Sequence, residues 1–278
     1  MTLAAAWIES KDNGNRPLCF ASDSRTTPGP IEGVTKVVLF GREDLAGVWA
    51  GDYRYASMLV SHLDAVFTAS DVMRRRDVDV LHALRRAMAS VQRHLTESTS
   101  PAIASFQQNA EAQMPERTAV LVGGYSLTQS SHILLRIEWT PSDRRWRGRV
   151  DPVDSSEVVF IGDEVKRARG VARQIRSRRA PSSTDWKMEP LATIHNACED
   201  ANRRTVGGRL QLAKAYMHGA TGAYGFVDPL RSDDVFVRGA RVDARAAQEV
   251  ASNGRLIDLS RYVLSAGAYA SRPPIRTR

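Results

Sequence analysis

Met1 and Thr2, the first two residues of the chain, raise the first chemical possibility. An aminopeptidase that removes a Met standing before a small residue leaves Thr2 with a free α-amine beside its own hydroxyl. With an unperturbed pKa of about 7.7–8.0, that amine takes the hydroxyl proton near neutral pH, so one residue supplies both nucleophile and base. A chain can begin Met-Thr without any such role, so the dipeptide needs support from the rest of the sequence. The other reactive residue types offer less. Cys19 and Cys198 are the two cysteines, too far apart for a CxxC site or a disulfide framework, which points to a reducing cytoplasm. Cys19 also lies inside an apolar run that reads as core. His62, His82, His94, His132, His195 and His218 form neither HExxH nor another paired spacing, so no metal or other cofactor is expected. Lys166, Arg167, Arg169, Arg173, Arg176, Arg178 and Arg179 crowd one helical segment and the residues just beyond it. A solvated face or subunit contact is the expectation there, because no aromatic residues interleave the charges as in a nucleic-acid site.

Holding Thr2 in place requires a scaffold, and the apolar pattern supplies its parts. Strands are expected at Thr2 to Ile8, Leu18 to Ser22, Thr35 to Phe40 and Leu45 to Ala50, punctuated by turns at Asn13-Gly14, Gly29-Pro30 and Gly41. No helix falls between them, so their pairing is expected to be antiparallel. The period then changes. Ala56, Leu59, Val60, Leu63, Val66 and Phe67 recur at helical steps from Tyr53 to about Thr68, and Val80, Leu81, Leu84, Met88, Val91 and Leu95 do so from about Val78 to Leu95. The charged break MRRRD separates the two, and Thr96 to Glu116 reads as a polar loop or short helix. Strands return at Thr118 to Tyr125, His132 to Trp139, Trp146 to Val150 and Val158 to Ile161. Helices follow at Glu164 to about Arg178 and, capped by Thr184 or Asp185, from about Trp186 to Arg203. Leu210 to Met217 and Ala223 to Val227 read as a hairpin, and SRPPIRTR as a frayed basic tail. Blocks of strands and helix pairs in this order predict an α+β fold: a four-layer α/β/β/α sandwich of two antiparallel sheets.

Composition agrees with a folded chain and narrows its setting. Of 278 residues, 42% are hydrophobic and 25% charged, enough apolar content to bury a core. Subtracting 31 acidic from 39 basic residues leaves +8, which permits an acidic partner without requiring one. No apolar run approaches the roughly 20 residues that cross a bilayer, and MTLAAAWIESKDNG lacks the basic flank of a signal peptide. A cytoplasmic protein without membrane contact is expected.

Thr2 followed by FASDSR (Phe20 to Arg25), then a strand with Lys36, then LAGVWAGD (Leu45 to Asp52) running into a helix, resembles the proteasome β-subunit family of N-terminal-nucleophile (Ntn) hydrolases, in its bacterial proteasome-like branch. VLVGGY (Val120 to Tyr125), VFIGD (Val159 to Asp163) and TVGGRLQLAKAY (Thr205 to Tyr216) resemble later strands and turns of the same family. The likeness covers about residues 2–217. It implies a threonine-type peptidase or amide hydrolase, acting on peptide or unfolded-protein substrates or on a small-molecule amide, with Thr2 as nucleophile and Asp23 and Lys36 side by side beneath it. Lys36 would favour loss of the threonine proton, Asp23 would keep Lys36 charged and oriented, and the Gly51 N–H would serve the oxyanion. Arg25 would support the Asp23 loop.

Two turns depart from the family pattern. Where active members carry Gly-Ser-Gly, this chain has Gly162-Asp163-Glu164. Their Asp-x-x-Ser-Gly-Gly is stretched here to run from Asp200 through Thr205 to Gly208. Asp163 is expected to substitute electrostatically near the amine and Thr205 to supply the missing hydroxyl. A non-catalytic, ring-forming structural subunit is the alternative reading that these departures suggest. Self-association is expected either way, from the resemblance and from Met58, Val60 and Phe67, which exceed what one core-facing stripe needs. Residues 1–228 are assigned to the hydrolase domain, and 229–278 to a C-terminal extension with a basic tail, packed on or between subunits.

Overall fold

A computed structural model describes residues 2–10, 16–25, 33–75, 77–98, 117–140, 145–200, 205–228, 232–260 and 262–264. The expected turns at Asn13-Gly14 and Gly29-Pro30, the polar segment 99–116 and the tail from 265 lie outside them, as does Met1. Among the described residues the chain is a mixed α/β structure with six helices and two sheets.

The smaller sheet takes the order β3 (Val37–Leu39), β4 (Ala46–Ala50), β5 (Thr118–Ser126), β6 (Ser131–Thr140), β7 (Arg145–Pro152), all antiparallel. In the larger sheet β8 (Val158–Gly162), β1 (Leu3–Ile8), β2 (Leu18–Ser22), β9 (Gln211–Ala215) and β10 (Gly222–Asp228) are consecutive antiparallel neighbours. Beyond β10 come β11 (Ser232–Val237) and β12 (Ala240–Arg241). β13 (Leu256–Asp258) pairs with β10 in parallel and with β14 (Val263–Leu264) antiparallel. The described strands past 228 thus continue the sheet that β1 belongs to.

Why β1 reads LAAAWI with no polar alternation follows from what covers it. Both of its faces are buried, and the period of two sends alternate side chains to different partners. Ala4, Ala6 and Ile8 meet Val48, Ala50, Leu121 and Leu134 of the other sheet. Leu3, Ala5 and Trp7 point the other way, to Ala168 and Ala172 of α4 (Val165–Arg179) and Leu191 and Ile194 of α5 (Glu189–Glu199). On the far side of the smaller sheet, α1 (Tyr53–Thr68) and α3 (Val80–Ser98) place Leu59, Leu63, Leu84 and Val91 against Val120, Val122 and Ile133.

The helix limits show where local signals won. Asp52 caps α1, accepting the Arg54 N–H at 3.0 Å, and Asp79 accepts the Leu81 N–H at 2.9 Å before α3. A short helix, α2 (Asp71–Arg74), capped by Ser70, runs into the start of the MRRRD break. A correction applies at α5. Neither Thr184 nor Asp185 caps it, and it starts at Glu189 with Met188 at the cap position, because Trp186 is held in a bridge to Glu9 of the first hairpin and the chain turns into the helix only after it. Of the residues taken as surplus apolar surface, Phe67 is buried against Phe40, Val60 is half-buried, and Met58 alone is exposed. The last helix, α6 (Ala244–Ser252), is capped by Asp243. No helix among the described residues is long and apolar enough to cross a membrane.

One polar group interrupts the α4/α5 face of the large sheet. Lys214 Nζ donates to Glu9 Oε2 at 2.6 Å and lies 4.8 Å from the centre of the Tyr224 ring, whose hydroxyl touches that of Tyr216. The pair is buried and the lysine remains charged, so the sheet holds an ion pair where the sequence shows only QLAKA.

Candidate active site

Antiparallel pairing gathers strand ends that are far apart in sequence. Thr2 immediately precedes β1, Asp23 follows β2, Lys36 precedes β3, Gly51 follows β4 and Gly162 ends β8. Ser22 pairs with both Ala4 and Gln211, and Leu3 pairs with Gly162, so one end of the large sheet brings these residues together. The Trp49 N–H donates to the Lys36 carbonyl at 3.2 Å, extending the β3–β4 pairing of the smaller sheet back to Lys36.

Lys36 is the hub. Its ammonium donates to Thr2 Oγ1, to Asp23 Oδ1 at 3.0 Å and to the Arg25 carbonyl. Thr2, Asp23 and Lys36 are all fully buried. Burial drives the lysine pKa below its ordinary value, opposed by the Asp23 charge and, more weakly, by Asp163. Burial likewise pushes Asp23 up, opposed by Lys36 and by backbone N–H groups. Those donors are Leu3 N–H to Oδ1 at 3.3 Å, and Gly207 N–H and Arg25 N–H to Oδ2 at 3.1 and 3.3 Å. An ammonium with a lowered pKa touching a hydroxyl is a group that stabilises an alkoxide or shares its proton.

The remaining residues singled out in the sequence fall at different distances from this hub. Arg25 supports the Asp23 loop through its backbone, and its guanidinium lies against Gly207, where a Cβ would overlap it. Asp163 donates its N–H to the Thr2 carbonyl at 2.8 Å, while Gly162, at φ +95°, approaches that carbonyl too closely for any side chain. Ala50 borders Gly162, so Gly51 sits one residue from the Thr2 neighbourhood. Gly51 has φ +108° and lies against the Arg117 carbonyl, where a Cβ would not fit; the turn alone therefore demands glycine there. Asp200 follows α5 and pairs with Arg167 Nη2 at 3.8 Å. Thr205 stands two residues before Gly207, and the intervening stretch 201–204 is outside the described residues.

Three contributors have roles at the site that the sequence did not assign to them. Gln211 Oε1 accepts the Lys36 and Val37 N–H groups at 2.8 and 3.0 Å, fixing the start of β3. A polar residue opening the apolar strand QLAKA was its signal. Gly207 binds Asp23 through its backbone, which no residue type announces. Cys198 of α5 lies near enough to Asp23 and Lys36 for their charges to act on it, and burial raises its thiol far above its usual range, keeping it neutral.

Searched against protein-family models and against curated proteins, the chain matches neither a family nor a curated sequence.

Proposed function

We propose that this chain is an Ntn hydrolase with a four-layer α/β/β/α sandwich, acting as a threonine-type peptidase of the proteasome β-like class. The observation that carries the reading is the buried contact of Thr2 Oγ1 with the Lys36 ammonium, itself paired to Asp23 at 3.0 Å. Once Met1 is removed, Thr2 Oγ1 attacks a peptide carbonyl and its α-amine takes the hydroxyl proton. Lys36 favours the alkoxide, and the Gly51 N–H faces the developing oxyanion. The proton passes to the leaving amine, and water then hydrolyses the ester to release the acyl group. Peptides or unfolded chains, handled in a self-associated assembly, are the substrates this reading implies.

Thr2→Ala tests it. The variant is expected to fold and to lose hydrolysis of small fluorogenic peptides, while amino-terminal sequencing of the wild-type protein starts at Thr2. Retained activity in Thr2→Ala, or a wild-type chain that keeps Met1, ends the proposal.

A second reading has its own observation. Thr2 is fully buried and a carboxylate stands at Asp163 where a hydroxyl would be expected, which favours a non-catalytic ring-forming subunit. A threonine-directed covalent probe separates the two: mature chain lacking Met1 that remains unlabelled supports the structural subunit.

A further inference from the structure

The basic run of α4 is resolved by the fold into faces with different jobs. At 100° per residue, Lys166, Arg169, Arg173 and Arg176 fall within about 80° of arc, a stripe about 15 Å long on one flank of the helix. Arg167 and Arg178 project from the opposite flank. Arg167 is paired with Glu164 and Asp200, and Arg179 with Glu189, so these cations already have partners within the fold. By contrast, the side chains of Lys166, Arg169 and Arg173 form no ion pair or hydrogen bond with any described residue. The helix macrodipole explains cations near Arg176 but not those in the first two turns, where positive charge is disfavoured. Lys166 and Arg169 stand there without an acidic residue in the first turn.

The stripe borders a groove of about 560 Å³ between α4 and the turn joining β7 to β8. Arg169, Arg173 and Arg176 form one wall, and Asp154 and Glu157 the other. Arg176 is fixed. Its guanidinium lies 4.0 Å from the Trp186 ring centre and donates to the Thr184 carbonyl at 2.8 Å, while Trp186 Nε1 donates to the Ser156 carbonyl at 2.8 Å. Asp154 is occupied by its own turn, accepting from Ser156 N and Oγ at 2.8 and 2.9 Å. The groove therefore presents a cationic wall, anchored at Arg176, facing an acidic one.

We propose that this groove binds an acidic segment of a polypeptide in extended conformation. Alternate side chains of an extended peptide lie about 6.6–6.8 Å apart, close to the helical rise of about 6 Å from Arg169 to Arg173. Its carboxylates meet the arginines while its backbone N–H groups face Glu157. A nucleic acid fits less well. Its uniform negative charge meets Asp154 and Glu157, and the groove offers no open aromatic face for a base, since Trp186 is 4% exposed and covered by Arg176. The inference makes no use of Thr2 and stands whether or not the chain hydrolyses peptides.

Fluorescence anisotropy on the intact chain tests it, with a labelled peptide of alternating Glu and Gly, its Lys-Gly counterpart, and a single-stranded oligodeoxynucleotide of matched charge. The glutamate peptide is expected to bind saturably and to weaken with added salt, and the lysine peptide not to bind. Arg169→Glu with Arg173→Glu is expected to weaken binding by about tenfold or more, and Arg178→Glu on the opposite flank by less than about twofold. Arg169→Gln with Arg173→Gln should fall between, and thermal melting confirms that each variant is folded. Absence of saturable peptide binding, an equal loss in Arg178→Glu, or tighter binding of the oligonucleotide than of the peptide would each overturn the proposal.

Discussion

Replacing Lys36 by Met removes the cation that faces a fully buried carboxylate while keeping a side chain of similar length. Asp23 then retains its N–H donors from Leu3, Arg25 and Gly207 but loses its counter-charge at 3.0 Å. Breaking a buried pair from one side costs about 3–5 kcal/mol, because the remaining charge is left uncompensated. The expected loss at neutral pH lies in that range, a fall in melting temperature of about 10 °C for a chain of this size. The pH dependence carries the diagnosis. Without Lys36, the folded pKa of Asp23 rises further above its unfolded value of about 3.9. A carboxyl that holds its proton longer in the folded state contributes stability at low pH, which is lost as pH rises through the folded pKa. The deficit of the variant is therefore smaller near about pH 5 than near about pH 8. Adding Asp23→Asn removes the stranded charge and should restore the neutral-pH stability to within about 1–2 kcal/mol of wild type, a recovery of about 2–3 kcal/mol over Lys36→Met alone. Urea denaturation of the wild type, both single variants and the double variant at the two pH values reads all four corners. If the double variant is as unstable as the sum of the singles, with no pH dependence of the Lys36→Met deficit, the buried pair is not what holds this end of the sheets.

Glycine positions near the site make a contrasting set. Gly51→Ala and Gly162→Ala each force a Cβ onto a neighbouring carbonyl at positive φ and are expected to cost about 2–4 kcal/mol. Gly170→Ala, on α4 with open space around its Cβ, should gain about 0.5–1 kcal/mol. Urea midpoints rank the three, and a neutral Gly162→Ala would contradict the close approach to Thr2. At high pH the Tyr216–Tyr224 contact becomes the weak point. Burial lifts the Tyr224 hydroxyl to about 12 and raises Tyr216 as well. Unfolded tyrosine ionises near about 10, so the stability these groups confer is complete below that and lost as pH rises toward about 12. Circular dichroism against pH should show the alkaline loss of structure weakened in Tyr224→Phe, and an unchanged curve would refute the assignment.

Local chemistry in the sequence was enough for much of this. The three- and four-residue recurrence of Ala56, Leu59, Leu63 and Phe67 places α1 at the limits the structure has, with the Asp52 cap in front of it. Runs such as LAAAWI and TAVLVGGY are strands, and their unbroken apolar character already means that both faces are covered. Where local signals failed, a distant contact had overruled them. Thr184 and Asp185 are good caps, yet Trp186 beside them is held in a bridge to Glu9, and α5 starts later. Thr2, Asp23 and Lys36 were legible as residue types in a familiar order. That Lys36 donates to both of the others is a property of strand register, since a shift of one residue would turn the side chain to the opposite face.

The backbone donors from Gly207 and Leu3 to Asp23, and the Gln211 side chain that seats β3, were beyond the sequence for the same reason. Every residue carries an N–H, and only the fold decides which of them turns inward. The basic run of α4 shows the division most plainly. Its seven cations were countable from the chain, but which are spent on Glu164, Asp200 and Glu189 and which stand along a groove depends on where the neighbouring elements pack. Periodicity is set by a residue's near neighbours in the chain. Pairing, burial and pKa are set by groups elsewhere in the chain, 13 residues away for Lys36 and Asp23 and 205 for Lys214 and Glu9, brought close only when the sheets assemble.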